Sequence, residues 1–84
     1  MSTSPDTQRA DDQIVTLLSH WLTRTLGNDE LRRKIQDIGT DELAPGQRNA
    51  VDELLSELAA AAPGERGQLE VIVRETIETL VYGD

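Results

Sequence analysis

From Asp11 onward the aliphatic residues recur at three- and four-residue steps, in successive runs that are each closed by glycine, proline or asparagine. That spacing gathers apolar side chains on one side of an α-helix, whereas a half-buried strand would alternate them. The chain has 84 residues and no cysteine. A chain of this length hides only about 60–65% of the surface it exposes when unfolded, so its core is thin. Disulfides and thiolate-bound metal are unavailable to reinforce it, which leaves regular helix packing or association with another subunit.

The first run, Ile14, Leu17, Leu18, Trp21, Leu22 and Thr25, is followed by Gly27 and Asn28 as a stop. With Val15 and Leu26 its apolar arc covers about half the helix circumference, wider than a surface helix usually needs. Asn28 is expected to cap a second, short helix, with Asp29 and Glu30 in its first turn, where the helix dipole favours acids. Leu31, Ile35 and Ile38 line one side of it, Gly39 suits the left-handed position that ends a helix, and Thr40 to Leu43 adds one turn at most. Pro45 fits the first turn of a third helix. Its expected buried stripe is Ala50, Val51, Leu54, Leu55, Leu58, Ala59 and Ala62, opposed by Asp52, Glu53, Ser56 and Glu57. "APGERG", with Pro63, Gly64 and Gly67, makes the next turn.

The last segment, "QLEVIVRETIETLVYGD", is rich in β-branched residues, and residues 68–74 alone fit a strand as well as a helix. Over the full length Leu69, Ile72, Val73, Thr76, Ile77 and Leu80 share one arc, which predicts a helix ended by Gly83. Residues 1–10 carry almost nothing to bury and read as a disordered tail. The expected fold class is therefore all-α, a small helical bundle of three longer helices plus one short helix, formed as a single domain by residues 11–84.

Composition narrows the function. Sixteen acidic residues against eight basic ones give a formal charge of -8, so the field repels phosphate backbones and anionic membranes. Trp21 and Tyr82 are the only aromatics, too few for the stacking platforms of single-strand nucleic-acid binders. A third helix presenting Asp52, Glu53 and Glu57 is equally unsuited to reading DNA, although acidic crowding can imitate DNA's phosphates toward a DNA-binding protein. No apolar stretch approaches the ~18 residues of a membrane span, and the first residues lack the pattern of a signal peptide, so a soluble, cytoplasmic protein is expected. Arginine outnumbers lysine, with Lys34 alone of its kind, a usage typical of GC-rich bacterial genomes.

"LRRKIQDIGTDEL", residues 31–43, holds the densest positive charge. Consecutive residues on a helix point about 100° apart, so Arg32, Arg33 and Lys34 splay rather than converge on an anion. Acids stand at helical spacing from them: Asp29 and Asp37 from Arg33, Glu30 from Lys34, which predicts a solvated, charge-paired surface. "LRRKIQDI" resembles the opening helix of the helical chorismate mutases, roughly L-R-x-x-I-D-x-I-D. The resemblance implies a small helical enzyme in which Arg32 is the active-site arginine and dimerisation completes an arginine-lined site. It covers about a tenth of the chain, and Gln36 and Gly39 depart from the pattern where an acid and a continuing helix are expected. "IGTDEL", residues 38–43, is similar to the L-G-x-D-S-L loop of acyl carrier proteins, whose serine carries phosphopantetheine. Glu42 holds that position, and a carboxylate cannot form the phosphodiester, so no cofactor is expected there.

His20, the only histidine, shares the polar side of its helix with Thr16, Thr23 and Arg24 and is expected to be exposed and idle. The acidic pairs Asp11/Asp12, Asp29/Glu30, Asp41/Glu42 and Asp52/Glu53 lie mostly at helix starts or on polar faces. "DIGTDE" lacks the alternating oxygen ligands and closing glutamate of a calcium loop, so no metal site is expected.

The anomaly that bears on function is in the last helix. Val71 and Tyr82 fall on the side away from its main stripe, near Glu75 and Glu78, and Val81 lies beyond the stripe's edge. Together with the wide arc of the first helix they imply more apolar surface than a small monomer hides. The sequence thus points to protein–protein interaction without catalysis, as an adaptor, inhibitor or accessory subunit. Trp21, Val71, Glu75, Glu78, Val81 and Tyr82 are the candidate contacts, a protein with a basic surface the candidate partner, and self-association through the first and last helices is expected beside it.

Overall fold

The computed structural model describes residues 9–62 and 65–82. Among these the chain forms four helices and no strand: α1 (Ala10–Leu22), α2 (Asn28–Ile38), α3 (Pro45–Ala60) and α4 (Gly67–Tyr82). α1 packs on α2 and α4, and α3 packs on α2 and α4, so the helices follow one another around a shared core and α4 closes the ring against α1. Every helix supplies fully buried side chains: Ile14, Leu18 and Trp21 from α1, Leu31 and Ile35 from α2, Val51 and Leu54 from α3, and Val73 from α4. The segment 68–74 is helical, because Leu69, Val73, Thr76 and Leu80 form a stripe that only a helical period can bury as a unit.

Several boundaries differ from those the sequence predicts. Ala10, expected in the tail, opens α1 and is buried against the core. Arg9, also expected in the tail, is the extended N-cap of α1. Residues 1–8 of the expected tail lie outside the described residues, as do the expected breaker pair Pro63 and Gly64 and the expected stop Gly83. α1 ends at Leu22, ahead of Gly27. The Arg24 amide donates to the Trp21 carbonyl at 3.0 Å and the Thr25 amide to the His20 carbonyl at 2.9 Å. These are the two bonds of a Schellman turn, and Arg24 takes its left-handed position with φ 69°. The hydroxyls of Thr23 and Thr25 also donate to the His20 carbonyl, at 3.0 and 2.8 Å, so the helix end is saturated before the glycine is reached.

A left-handed backbone costs an L-residue roughly 1–2 kcal/mol, whereas glycine adopts it freely. Arg24→Gly is therefore expected to raise the urea midpoint of unfolding, reflecting a stability gain of about 1 kcal/mol after allowance for glycine's larger unfolded-state entropy. An unchanged or lower midpoint would show that Arg24 makes a compensating contribution in the folded state.

α2 is capped by the extended Gly27 rather than by Asn28, whose side chain is engaged elsewhere. Gly39 ends it with φ 82° and ψ 171°, a region essentially reserved for glycine though not the helical left-handed one expected. The loop that follows is held from α3, where the Arg48 guanidinium donates to the carbonyls of Thr40 and Asp41 at 3.3 and 3.4 Å. Pro45 opens α3 as expected. Its buried side is Gln47, Val51, Leu54 and Leu58, with Leu55 and Ala61 packed at the edge, while Ala59 and Ala62, expected in the stripe, are exposed. Gln47 accepts from the Ala44 amide at 2.9 Å and donates to the Leu80 carbonyl at 3.0 Å, so one buried amide caps α3 and ties it to the end of α4.

Candidate functional site

α4 offers two opposed faces. Leu69, Val73, Thr76 and Leu80 point into the core, and the reverse side carries Val71, Glu75, Glu78 and Tyr82, all exposed. At about 100° per residue these four fall within an arc of about 60°, opposite the buried stripe. Val71 is 58% exposed and Tyr82 77%, while Val81, 64% exposed, flanks them about 80° from Val71. The structure thus brings together five of the six candidate contacts. The sixth, Trp21, stands apart from them as a fully buried core residue.

The surroundings of Trp21 explain its burial. Its indole Nε1–H donates to Asn28 Oδ1 at 2.8 Å, and Asn28 in turn donates through Nδ2 to the Glu65 carbonyl at 3.1 Å. The Arg66 guanidinium lies over the indole, 4.4 Å from the ring centroid. Its Nη1 and Nη2 donate to the carbonyls of Trp21 and Leu26, both at 2.7 Å. One arginine from the segment before α4 thereby joins the end of α1 to the turn leading into α2. The sequence assigns Arg66 no role and Asn28 only that of a cap, since nothing in their spacing shows which carbonyls the fold will place before them.

The wide apolar arc of α1 has an internal use. Val15, Leu17 and Leu22 are partly buried against the core, because α1 is flanked by α2 on one side and α4 on the other. The apolar surface left outside is therefore mainly that of α4.

The basic stretch opening α2 behaves as separate residues. Arg32 is half-buried and pairs with Asp29 of its own helix at 3.9 Å. Arg33 and Lys34 are exposed, and the expected pairs of Arg33 with Asp29 or Asp37, and of Lys34 with Glu30, are not formed. Among the described residues the other ion pair is Arg9 with Asp11 at 3.4 Å. A solvated surface without fixed pairing is favoured because ordering two long side chains offsets most of the attraction of an exposed pair. The "IGTDEL" residues form the end of α2 and the loop after it, with Glu42 exposed. His20 is exposed on α1, as its wheel position predicts.

Two grooves are relevant to binding. One, of about 330 Å³, runs between α1 and α2 and is lined by Gln13, Thr16, Leu17, Lys34, Asp37 and Ile38. Its charged residues are of opposite sign, so it has no net preference for an anion or a cation. The other, of about 150 Å³, lies between α3 and α4, with Glu53 on one wall, Glu75 on the other, and Ala50, Ile72, Thr76 and Thr79 between. Its carboxylates share one sign, and Glu75 belongs also to the exposed face of α4. Among the described residues no group of three or more His, Cys, Asp or Glu is placed to hold a metal ion, and no helix is long and apolar enough to cross a membrane.

Among the described residues the chain is a small all-α domain of four helices, whose α4 exposes Val71, Glu75, Glu78 and Tyr82 on one face with Arg74 and Val81 at its flank. No family model, curated protein or solved structure matches the chain.

Proposed function

We propose that the protein works by protein–protein interaction, as an adaptor, inhibitor or accessory subunit, with the outer face of α4 as its contact surface and no catalysis of its own. The observation that supports this reading is the exposure of Val71, Val81 and Tyr82 on a helix whose opposite side already supplies the core. Isolated exposed valines are ordinary, but a tyrosine and two valines on one helix, with Glu75 and Glu78 between Val71 and Tyr82, combine the apolar and charged contacts of an interface. The two carboxylates favour a basic partner and disfavour nucleic acid.

The test is affinity capture from the native host's lysate, with the tagged wild type beside a Val71→Glu, Tyr82→Ala double variant shown by circular dichroism to be folded. Both substituted side chains are exposed, so the fold is expected to survive. A stoichiometric partner held by the wild type and lost by the variant is the expected result. Identical capture by both proteins would remove α4 as the contact surface.

A further inference from the structure

Val71, Glu75, Glu78 and Tyr82 follow one another at intervals of four, three and four residues, the spacing of the seam by which one helix packs along another. An apolar residue stands at each end of this seam and two carboxylates occupy its middle. Val71 and Tyr82 lie about 16 Å apart along the axis, roughly three helical turns.

We propose that this face takes a basic amphipathic helix from another protein, one that carries two arginines or lysines flanked by apolar residues at the same four-three-four spacing. Its apolar residues pack on Val71 and Tyr82, and its basic residues meet Glu75 and Glu78. The groove between α3 and α4 adds Glu53 facing Glu75, with Ala50 and Ile72 beside them to receive the carbon stem of a long basic side chain. Opposite charge at the centre of the seam sets register and partner choice, as charged positions do between paired helices.

A second copy of the chain is a poor occupant by the same geometry. Packed antiparallel, its Glu78 and Glu75 would meet Glu75 and Glu78; packed parallel, each glutamate would meet its own equivalent. Either arrangement sets like charges together between two molecules that each carry a formal charge of -8.

The inference rests on the reading of α4 as the contact surface, and its test separates the two. The probe is a fluorescein-labelled, alanine-rich synthetic helix bearing Leu, Arg, Arg and Leu at that spacing, which reads the same in either direction. A control peptide carries Glu in place of both Arg. Fluorescence anisotropy is measured with the wild type, with Glu75→Gln, Glu78→Gln and with Val71→Ser, Tyr82→Ser, over a range of salt. The arginine peptide is expected to bind the wild type with an affinity that falls as salt rises, and at least about tenfold more weakly to each double variant. The glutamate peptide is expected to bind at least about tenfold more weakly than the arginine peptide. Equal affinity for the two peptides, indifference to both double variants, or no binding of the arginine peptide overturns the proposal. If lysate capture still depends on Val71 and Tyr82 in that case, the surface stands and only the partner chemistry falls. Concentration-dependent dimerisation in sedimentation, abolished by Val71→Ser, Tyr82→Ser, would assign the face to a second copy and equally overturn it.

Discussion

Truncating Trp21 to alanine is expected to destabilise the protein by about 3–5 kcal/mol, the range for removing a large buried aromatic. Global stabilities of about 0.05–0.15 kcal/mol per residue give a chain of 84 residues roughly 4–12 kcal/mol in all. The substitution therefore removes about a quarter or more of the total, and at the low end leaves the chain largely unfolded. Three losses coincide at this residue. The indole is fully buried where α1 ends, its Nε1–H holds Asn28, and its ring carries the Arg66 guanidinium. Trp21→Phe separates them, since it keeps an aromatic platform while deleting the donor and some of the volume, and its cost is expected to be about half that of alanine. Urea unfolding followed by far-ultraviolet circular dichroism measures both, because the alanine variant has no tryptophan to report by fluorescence. A cost below about 1 kcal/mol for Trp21→Ala would mean that the indole is not the centre of the core.

What the sequence makes legible follows from the range of the interactions involved. The aliphatic stripes of α1, α3 and α4 can be read in advance because burying one face of a helix depends on a local period. The segment 68–74 is ambiguous in isolation, yet Leu69, Val73, Thr76 and Leu80 resolve it once its full length is considered. The exposed side of α4 is legible for the same reason: opposite the buried stripe of a helix lies solvent unless another element covers it. Trp21 illustrates the limit, since a wheel position says that a side chain is apolar-facing and not whether what it faces is core or partner.

Polar burial is less legible. Gln47, Asn28 and Arg66 each satisfy carbonyls or amides that the tertiary fold delivers, 33 residues away for Gln47 to Leu80, 37 for Asn28 to Glu65 and 45 for Arg66 to Trp21. No local pattern encodes such partners. The end of α1 escaped sequence reading for a different reason. Glycine usually marks a left-handed helix end, and here Arg24 occupies that position four residues after His20, ahead of the glycine at 27. "APGERG" in turn reads as a breaker because of Pro63, Gly64 and Gly67, while its Arg66 is the residue that locks the end of α1 to the turn leading into α2.

Arg66→Met is the sharper test of that lock, because methionine keeps a flexible apolar stem over the indole and deletes only the guanidinium. Two charge-assisted hydrogen bonds and the stacked cation are lost together, and removing one side of such contacts is expected to cost about 2–4 kcal/mol. The two carbonyls do not suffer equally. The Trp21 carbonyl retains the Arg24 amide as a donor, whereas for Leu26, which is itself nearly buried, no other donor among the described residues reaches the carbonyl. Most of the loss is therefore expected at Leu26, so that hydrogen exchange should accelerate first in the turn 23–27 between α1 and α2. Arg66→Lys keeps the charge but has no planar fork to span two acceptors, and is expected to restore less than half of the stability lost in Arg66→Met. Full restoration by lysine would show that charge alone matters here. In a double-mutant cycle with Trp21→Leu, which removes the aromatic face, the two residues are expected to couple by about 0.5–1 kcal/mol, the cation–π share of the lock, and strict additivity would reduce it to its two hydrogen bonds.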